Sequence, residues 1–196
     1  MCRIHPFCKT VLALVLACGI VGGLAACKGA DVEKNKKEIT DVISKTYDSA
    51  IALDDSVVDE LLKQANLGDM GDMGINGKDI LAAAFKNFKY KVGDIKISDD
   101  KAIASVHVSN IDLKEGLRKF EDAFGTWAKS DEGIDAFTNK DADAIGNGIR
   151  SALDTGFGDS SLETKEADVS INLIKKDGKW ELENRTMLFD SMVVGY

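Results

Sequence analysis

Apolar side chains recur at Ile39, Val42, Ile43, Tyr47, Ala50 and Ile51, the three-and-four spacing that puts them on one helix face. The spacing returns at Val57, Val58, Leu61, Leu62 and Ala65, so a second helix is predicted with Asp54 or Asp55 as its N-cap. A third is predicted from about Lys78, with Ile80, Leu81, Ala84, Phe85 and Phe88 on its apolar side. The period then drops to two. Tyr90 and Val92, followed by Ile95 and Ile97 after Gly93, mark a strand whose glycine suits a bulge, and Asp99-Asp100-Lys101 supplies a turn. In the return strand Ala102, Ala104, Val106 and Val108 share one face and Ile103, Ser105, His107 and Ser109 the other, which reads as a hairpin with one buried side. Helical spacing resumes at Leu113 and runs through Leu117, Phe120, Phe124, Trp127, Ile134, Phe137, Ile145, Ile149 and Leu153. Gly125, Gly133 and Gly146 are its predicted breaks, giving two or three short helices. Ala167, Val169, Ile171 and Leu173 then alternate up to a Lys176-Asp177-Gly178 turn, and Trp180 and Leu182 complete a second hairpin. This order predicts an α+β fold: N-terminal helices packed on a curved antiparallel sheet of about four strands, with a helical insertion between the two hairpins.

Ahead of these elements the pattern is different. Residues 1–26 open with Arg3 and Lys9, continue as an apolar run from Val11 to Val21, and end in small residues before Cys27, the order of a secretory signal peptide. Glycines interrupt the run, which falls short of the roughly 18–20 apolar residues that a spanning helix needs. Residues 28–38 are highly charged, with Val32 the one large apolar side chain. The predicted organisation is therefore a signal peptide over 1–26, a tether over 27–38 that grades into a helix, and a single domain over 39–196.

Leu24-Ala25-Ala26-Cys27 resembles the lipobox of bacterial lipoproteins at all four positions. The resemblance implies that a diacylglyceryl group is joined to the Cys27 sulfur, and that the lipoprotein signal peptidase recognises Leu24, Ala25 and Ala26 and cuts before Cys27. Two or three acyl chains, at about 0.8 kcal/mol per buried CH₂, give lasting attachment. The implied location is the cell membrane, lipid-anchored and facing outside the cytoplasm, at the cell surface or in the periplasm.

Cleavage removes Arg3 and Lys9 from the 25 basic side chains and none of the 33 acidic ones, leaving 23 against 33 and a formal charge of −10. That balance argues against nucleic acid as a partner. Cys2, Cys8 and Cys18 all lie in the cleaved segment, so Cys27 is the one cysteine of the mature chain and acylation consumes its thiol. A disulfide or thiolate metal site is excluded, and the domain must be held by its core.

The helix ending in YDSAIALDD (47–55), the hairpin VGDIKISDDKAIASVHV (92–108) and the closing VSINLIKKDGKWELEN (169–184) resemble a cystatin-like or nuclear transport factor 2-like domain, of the kind carried behind a lipobox by uncharacterised bacterial lipoproteins. The resemblance covers about half of the mature chain and implies helices packed into the concave side of an antiparallel sheet. The segment from Leu113 to Gly158 is longer than a minimal domain of this kind has.

Few residues offer chemistry. His107 is the only histidine after the signal segment and shares a strand face with Ser105 and Ser109, so a histidine metal cluster is excluded and a partly solvated strand residue is expected. The loop 66–77 holds the tandem Gly68-Asp69-Met70 and Gly71-Asp72-Met73; its readings are a flexible connection or a partner- or cation-binding loop, with too few oxygens for a full calcium shell. Asp141 to Gly146 starts like an EF-hand loop but lacks the closing carboxylate, since Ala152 stands at its twelfth position; an aspartate-rich helix start explains it. Asp54-Asp55 and Asp99-Asp100 suit a cap and a turn. Trp127, Trp180 and Tyr90 are the candidates for lining a ligand pocket between helices and sheet. The apolar tail from Met187 to Tyr196 is expected to complete the sheet edge or dock on a partner.

With no catalytic, cofactor or metal motif present, the expected role is a non-enzymatic binding domain for an envelope protein or a small ligand. Two alternatives stand beside it. One is an enzyme of the ketosteroid-isomerase kind, with Tyr90 or Tyr47 as acid beside a carboxylate. The other is a homodimer formed through the outer sheet face, where Ile103 and the tail would meet a second copy.

Overall fold

The computed structural model describes residues 28–64 and 76–193. Its first helix, α1 (Lys28–Ile51), starts with the described chain, so residues 28–38 are helical rather than a tether that leads into a helix. The side chains of residues 31–38 stay largely in solvent, where Lys34 pairs with Glu38 and Lys36 with Glu33 across one turn. Such pairs support a helix by a few tenths of a kcal/mol each without any apolar face. Burial begins at Ile39, and Ile39, Ile43, Tyr47 and Ala50 are completely enclosed. Ile51, grouped with them by spacing, is exposed because the helix unwinds there; Leu53 then turns the chain with a positive φ of 54°.

Helix α2 (Asp55–Gln64) buries Val57, Val58 and Leu61, and α3 (Gly77–Phe85) is capped by Asn76, whose side chain accepts the Lys78 N–H at 2.9 Å. Lys78 also reaches back to the Asp55 carboxylate at 2.5 Å, joining the starts of the two helices and holding that carboxyl below its ordinary range. Phe88 lies past the end of α3, yet it is buried in the turn that leads to the sheet.

The sheet is antiparallel throughout, with strands β1 (Lys89–Ser98), β2 (Lys101–Ile111), β3 (Thr164–Lys176) and β4 (Lys179–Leu182) side by side in chain order. The register shifts between Val92 and Ile95, where Gly93 forms the predicted bulge. Both hairpins turn on two residues. In the second, Asp177 and Gly178 have φ values of 50° and 78°, the left-handed pair that a tight hairpin needs. Ala102, Ala104, Val106, Val108, Ile171 and Leu173 face inward against α1, as their alternation predicts. Into the same core the chain tucks its end: α7 (Arg185–Asp190) and a 3-10 turn (Ser191–Val193) bury Leu188, Phe189 and Met192. The tail thus neither extends the sheet edge nor waits for a partner over these residues; it fills the underside of its own sheet. Val194 and Tyr196 lie outside the described residues.

Between β2 and β3 stand three helices, α4 (Leu113–Ala128), α5 (Asp131–Asn139) and α6 (Ala142–Phe157). They break at Lys129-Ser130 and Lys140-Asp141, where Ser130 and Asp141 cap the next helix, and not at the glycines, all of which are intrahelical. α4 and α6 cross so closely that a Cβ on Gly156 would sit 2.7 Å from the Gly116 carbonyl oxygen and 2.8 Å from the Phe120 nitrogen. A second core forms here from Ile145, Ile149, Leu153 and Phe157, joined by Ile111 and Leu113.

Gly156→Ala must separate two backbones, and a loss of about 1–3 kcal/mol is expected from overpacking. Gly125→Ala meets nothing within 4 Å and should gain up to about 1 kcal/mol from helix propensity. Urea unfolding of the pair should therefore give opposite signs. Tyr47 donates to Ser191 Oγ at 2.6 Å, which donates on to the Leu188 carbonyl at 2.5 Å. Burial raises the Tyr47 phenol above its ordinary value of 10, so this contribution is complete below pH 10 and is lost as pH climbs through the raised value. Tyr47→Phe should cost about 1 kcal/mol at pH 7 and should soften the loss of stability above pH 10, read by urea titration at both pH values.

Candidate functional site

Helix α4 begins where Asp112 accepts the Glu115 N–H at 3.0 Å, and this sets the rotation of everything that follows. Phe120, Phe124 and Trp127 fall on one side of it and stack in sequence, with ring centroids 6.0 and 5.7 Å apart; Phe137 of α5 continues the ladder at 5.8 Å from Trp127. The indole lies flat on Gly148 of α6, where any Cβ would come within 2.4 Å of the ring. Trp127 therefore owes its place to a glycine on another helix.

Beside it is an open groove of about 570 Å³ lined by Lys119, Asp122, Thr126, Trp127, Thr155 and Asp159 among others. Lys119 and Asp159 bond across it, and Asp159 also accepts the Ser161 N–H at 2.7 Å. These donors hold the Asp159 carboxyl far below the usual carboxylate range, so it stays an anion already matched by a cation. Such a carboxylate is poorly suited to taking a proton near neutral pH. On the shoulder of the groove Ile134 and Phe137 are 53% and 46% exposed, because Gly133 and Ala136 take the inward face of α5. This shoulder escaped the sequence reading, although the small residues at those two positions are its signal.

The other candidates lie elsewhere. Trp180 is buried under α1, donating its indole N–H to Asn35 Oδ1 at 2.9 Å with the Lys175 ammonium 5.5 Å over its ring. Tyr90 stacks on Tyr47 at 4.6 Å and donates to the Asp48 carboxylate at 2.7 Å. Its burial and the Asp48 charge raise its phenol above 10. Trp180 and Tyr90 thus belong to the sheet core and Trp127 to the insertion core, and no common pocket brings the three together. The Tyr47 and Tyr90 hydroxyls serve separate partners, Ser191 and Asp48.

His107 is half exposed on the outer sheet face, 3.0 Å from Asp168 and 3.8 Å from Glu166. Asp141 caps α6 by accepting the Ala144 N–H at 3.0 Å, which accounts for the aspartate-rich segment. The Asp54 carbonyl receives the first N–H groups of α2, and Asp99-Asp100 form the first hairpin tip. Ile103 stands 51% exposed on the outer face while the tail packs on the inner one, so the two do not form a single surface. Most of the loop 66–77, together with Leu24, Ala25, Ala26 and Cys27, lies outside the described residues. Among the described residues no group of three or more metal-binding side chains converges, and no helix is long and apolar enough to cross a membrane.

No protein-family model matches the chain, and no curated protein is similar to it. Among solved structures it is similar to a protein of Bacillus subtilis subsp. subtilis str. 168 described as a "putative lipoprotein (ycdA)", with 20% identity, a TM-score of 0.42, and coverage of 83% of this chain and 49% of that one. The chain spans about half the length of that protein.

Proposed function

We propose that this chain is a lipoprotein, anchored through Cys27 and facing outside the cytoplasm, whose α+β domain is a non-catalytic interaction module. The anchor is read from Leu24-Ala25-Ala26-Cys27, a thiol behind small residues at the end of an apolar run. The observation that carries the interaction role is the exposed Ile134–Phe137 shoulder continuing the Trp127 ladder. Aromatic anchors beside an apolar shoulder are what a binding surface offers a partner. The groove wall supports the same reading, since its Lys119–Asp159 pair is a satisfied contact.

In this reading α1 on the four-stranded meander is the cystatin-like or nuclear transport factor 2-like part, and the three-helix insertion is what this chain adds to it. The partner is an envelope protein that meets the insertion and leaves the core between α1 and the sheet untouched.

Growth with a clickable fatty acid should label the parent and not Cys27→Ser, and the variant should leave the membrane fraction. Equal label on both would overturn the anchor. For the binding role, chemical cross-linking in envelopes should yield an adduct with the parent that Phe137→Ser and Ile134→Ser lose while keeping the parent's circular dichroism. Adducts that survive both substitutions would place the interaction elsewhere.

A further inference from the structure

The sheet has two unlike ends. At one end are the hairpin tips, Asp99-Asp100 and Asp177-Gly178, held together by the Lys175 N–H on the Asp100 carbonyl at 2.7 Å. Helix α1 starts at this end: Asn35 Oδ1 accepts from Trp180 Nε1 and Lys175 Nζ, both at 2.9 Å. A groove of about 340 Å³ lined by Asp31, Lys34, Asn35, Glu38, Lys175 and Gly178 marks the junction. At the opposite end β2 leaves the sheet through Ile111, β3 enters it at Thr164, and the α4–α6 insertion with Trp127 lies between them in the chain.

Cys27 directly precedes Lys28, the first residue of α1, and Asn35 is about 10 Å further along the helix axis. A lipid on Cys27 would be attached one residue before a helix that starts toward the hairpin-tip end. Charge divides the same way. Residues 28–38, 96–101 and 175–181 contain nine lysines and seven acidic residues, a net +2; the rest of the mature chain contains 14 basic and 26 acidic residues, a net −12. A domain that is acidic as a whole thus carries a net positive charge in the segments nearest to Cys27.

We infer that the hairpin-tip end is the membrane-facing surface of this domain, seated by its lysines on anionic phospholipid headgroups, with the Trp127 insertion held on the far side. The inference rests on lipidation of Cys27. Anionic headgroups attract the basic end and repel the acidic remainder, so both forces turn the molecule the same way. Exposed Val32, on the first turns of α1, faces no core of its own and suits the interfacial layer.

Trp180 lies beside the hairpin tips and Trp127 lies in the insertion that follows β2 from the other end of the sheet, so the pair can report the orientation. Residues 27–196 are coupled through Cys27 to a maleimide lipid in phosphatidylglycerol/phosphatidylcholine vesicles that carry a dansyl headgroup acceptor. Trp180, read in Trp127→Phe, should transfer energy several-fold more efficiently than Trp127, read in Trp180→Phe. Should Trp180→Phe fail to fold, the Trp127 signal is the difference between the parent and Trp127→Phe. Omitting phosphatidylglycerol, or combining Lys176→Glu with Lys179→Glu, should lower Trp180 transfer. Equal transfer from both tryptophans overturns the orientation, and Trp180 transfer unmoved by both changes overturns the electrostatic seat. Dimerisation of the unlipidated chain that the double lysine variant abolishes would overturn the lipid assignment in favour of a second copy. Because the lipid is attached chemically, failure here speaks only to orientation, whereas failure of fatty-acid labelling in cells speaks only to lipidation.

Discussion

Asn110 decides how the two halves of this molecule join. It is completely buried in β2, one residue before Ile111. Its amide donates to the Ala84 carbonyl at 3.0 Å and the Met192 carbonyl at 3.1 Å, and its oxygen accepts the Ile111 N–H at 2.8 Å. Those groups belong to the last turn of α3, the C-terminal 3-10 turn and the exit of β2, places where regular structure ends and leaves backbone groups unpaired. An apolar residue of similar size would strand three buried groups at about 1–3 kcal/mol each. One amide side chain therefore lets the sheet core stop, the insertion begin and the chain terminus close over both.

That junction separates two packing problems with different solutions. On one side, α1 and the sheet meet through an apolar layer, with hydrogen bonds from Tyr47 to Ser191, Trp180 to Asn35 and Tyr90 to Asp48 around it. On the other, α4 and α6 meet through glycines, with Gly116 against Phe157 and Gly148 under Trp127. Backbones brought that close leave little room for side chains between the helices, which pushes the aromatic residues of α4 toward the rim. The half-exposed ladder is thus a by-product of close helix packing, and it is also the surface on which the proposed interaction role rests.

The elements legible in the sequence are those where burial is one-sided. Ile39 to Ala50, and Ala102 to Val108, announce their element and their face because only one arrangement hides them. The Asp177-Gly178 turn was readable because its backbone conformation restricts residue choice, and Gly93 because a glycine inside an alternating run signals a bulge. Where tertiary partners decide, the sequence was silent or misleading. Gly125, Gly133 and Gly146 look like helix breaks, but all three lie inside helices whose ends are set at Lys129-Ser130 and Lys140-Asp141. Trp127 and Trp180 both sit at core spacing, and spacing says that a residue is buried without saying against what. The start of α1 was hidden for a related reason, since residues 28–38 are held by charge pairs and by continuity with the buried turns that follow. Of the candidate site, Trp127 was legible, while Ile134 and Phe137 were counted as core.

The outer face of the sheet completes the physical picture, because none of the described helices covers it. Its rows are small and polar: Ser105 stands opposite Ser170, Ile103 opposite Asn172, and His107 opposite both Lys91 and Asp168. A free sheet edge is a template for another strand, and β1 carries the usual defences against that, with Lys89, Lys91 and Lys96 along it and a bulge at Gly93. Across the face, lysines on β1 give way to Glu166 and Asp168 on β3, so a second copy laid on it in parallel would set like charges together. Ile103 alone supplies little apolar area against that cost. The sheet is therefore an inner wall for α1 and a solvated outer wall, flanked by two candidate contact surfaces: the lysine-bearing hairpin tips near the proposed anchor and the aromatic shoulder of the insertion.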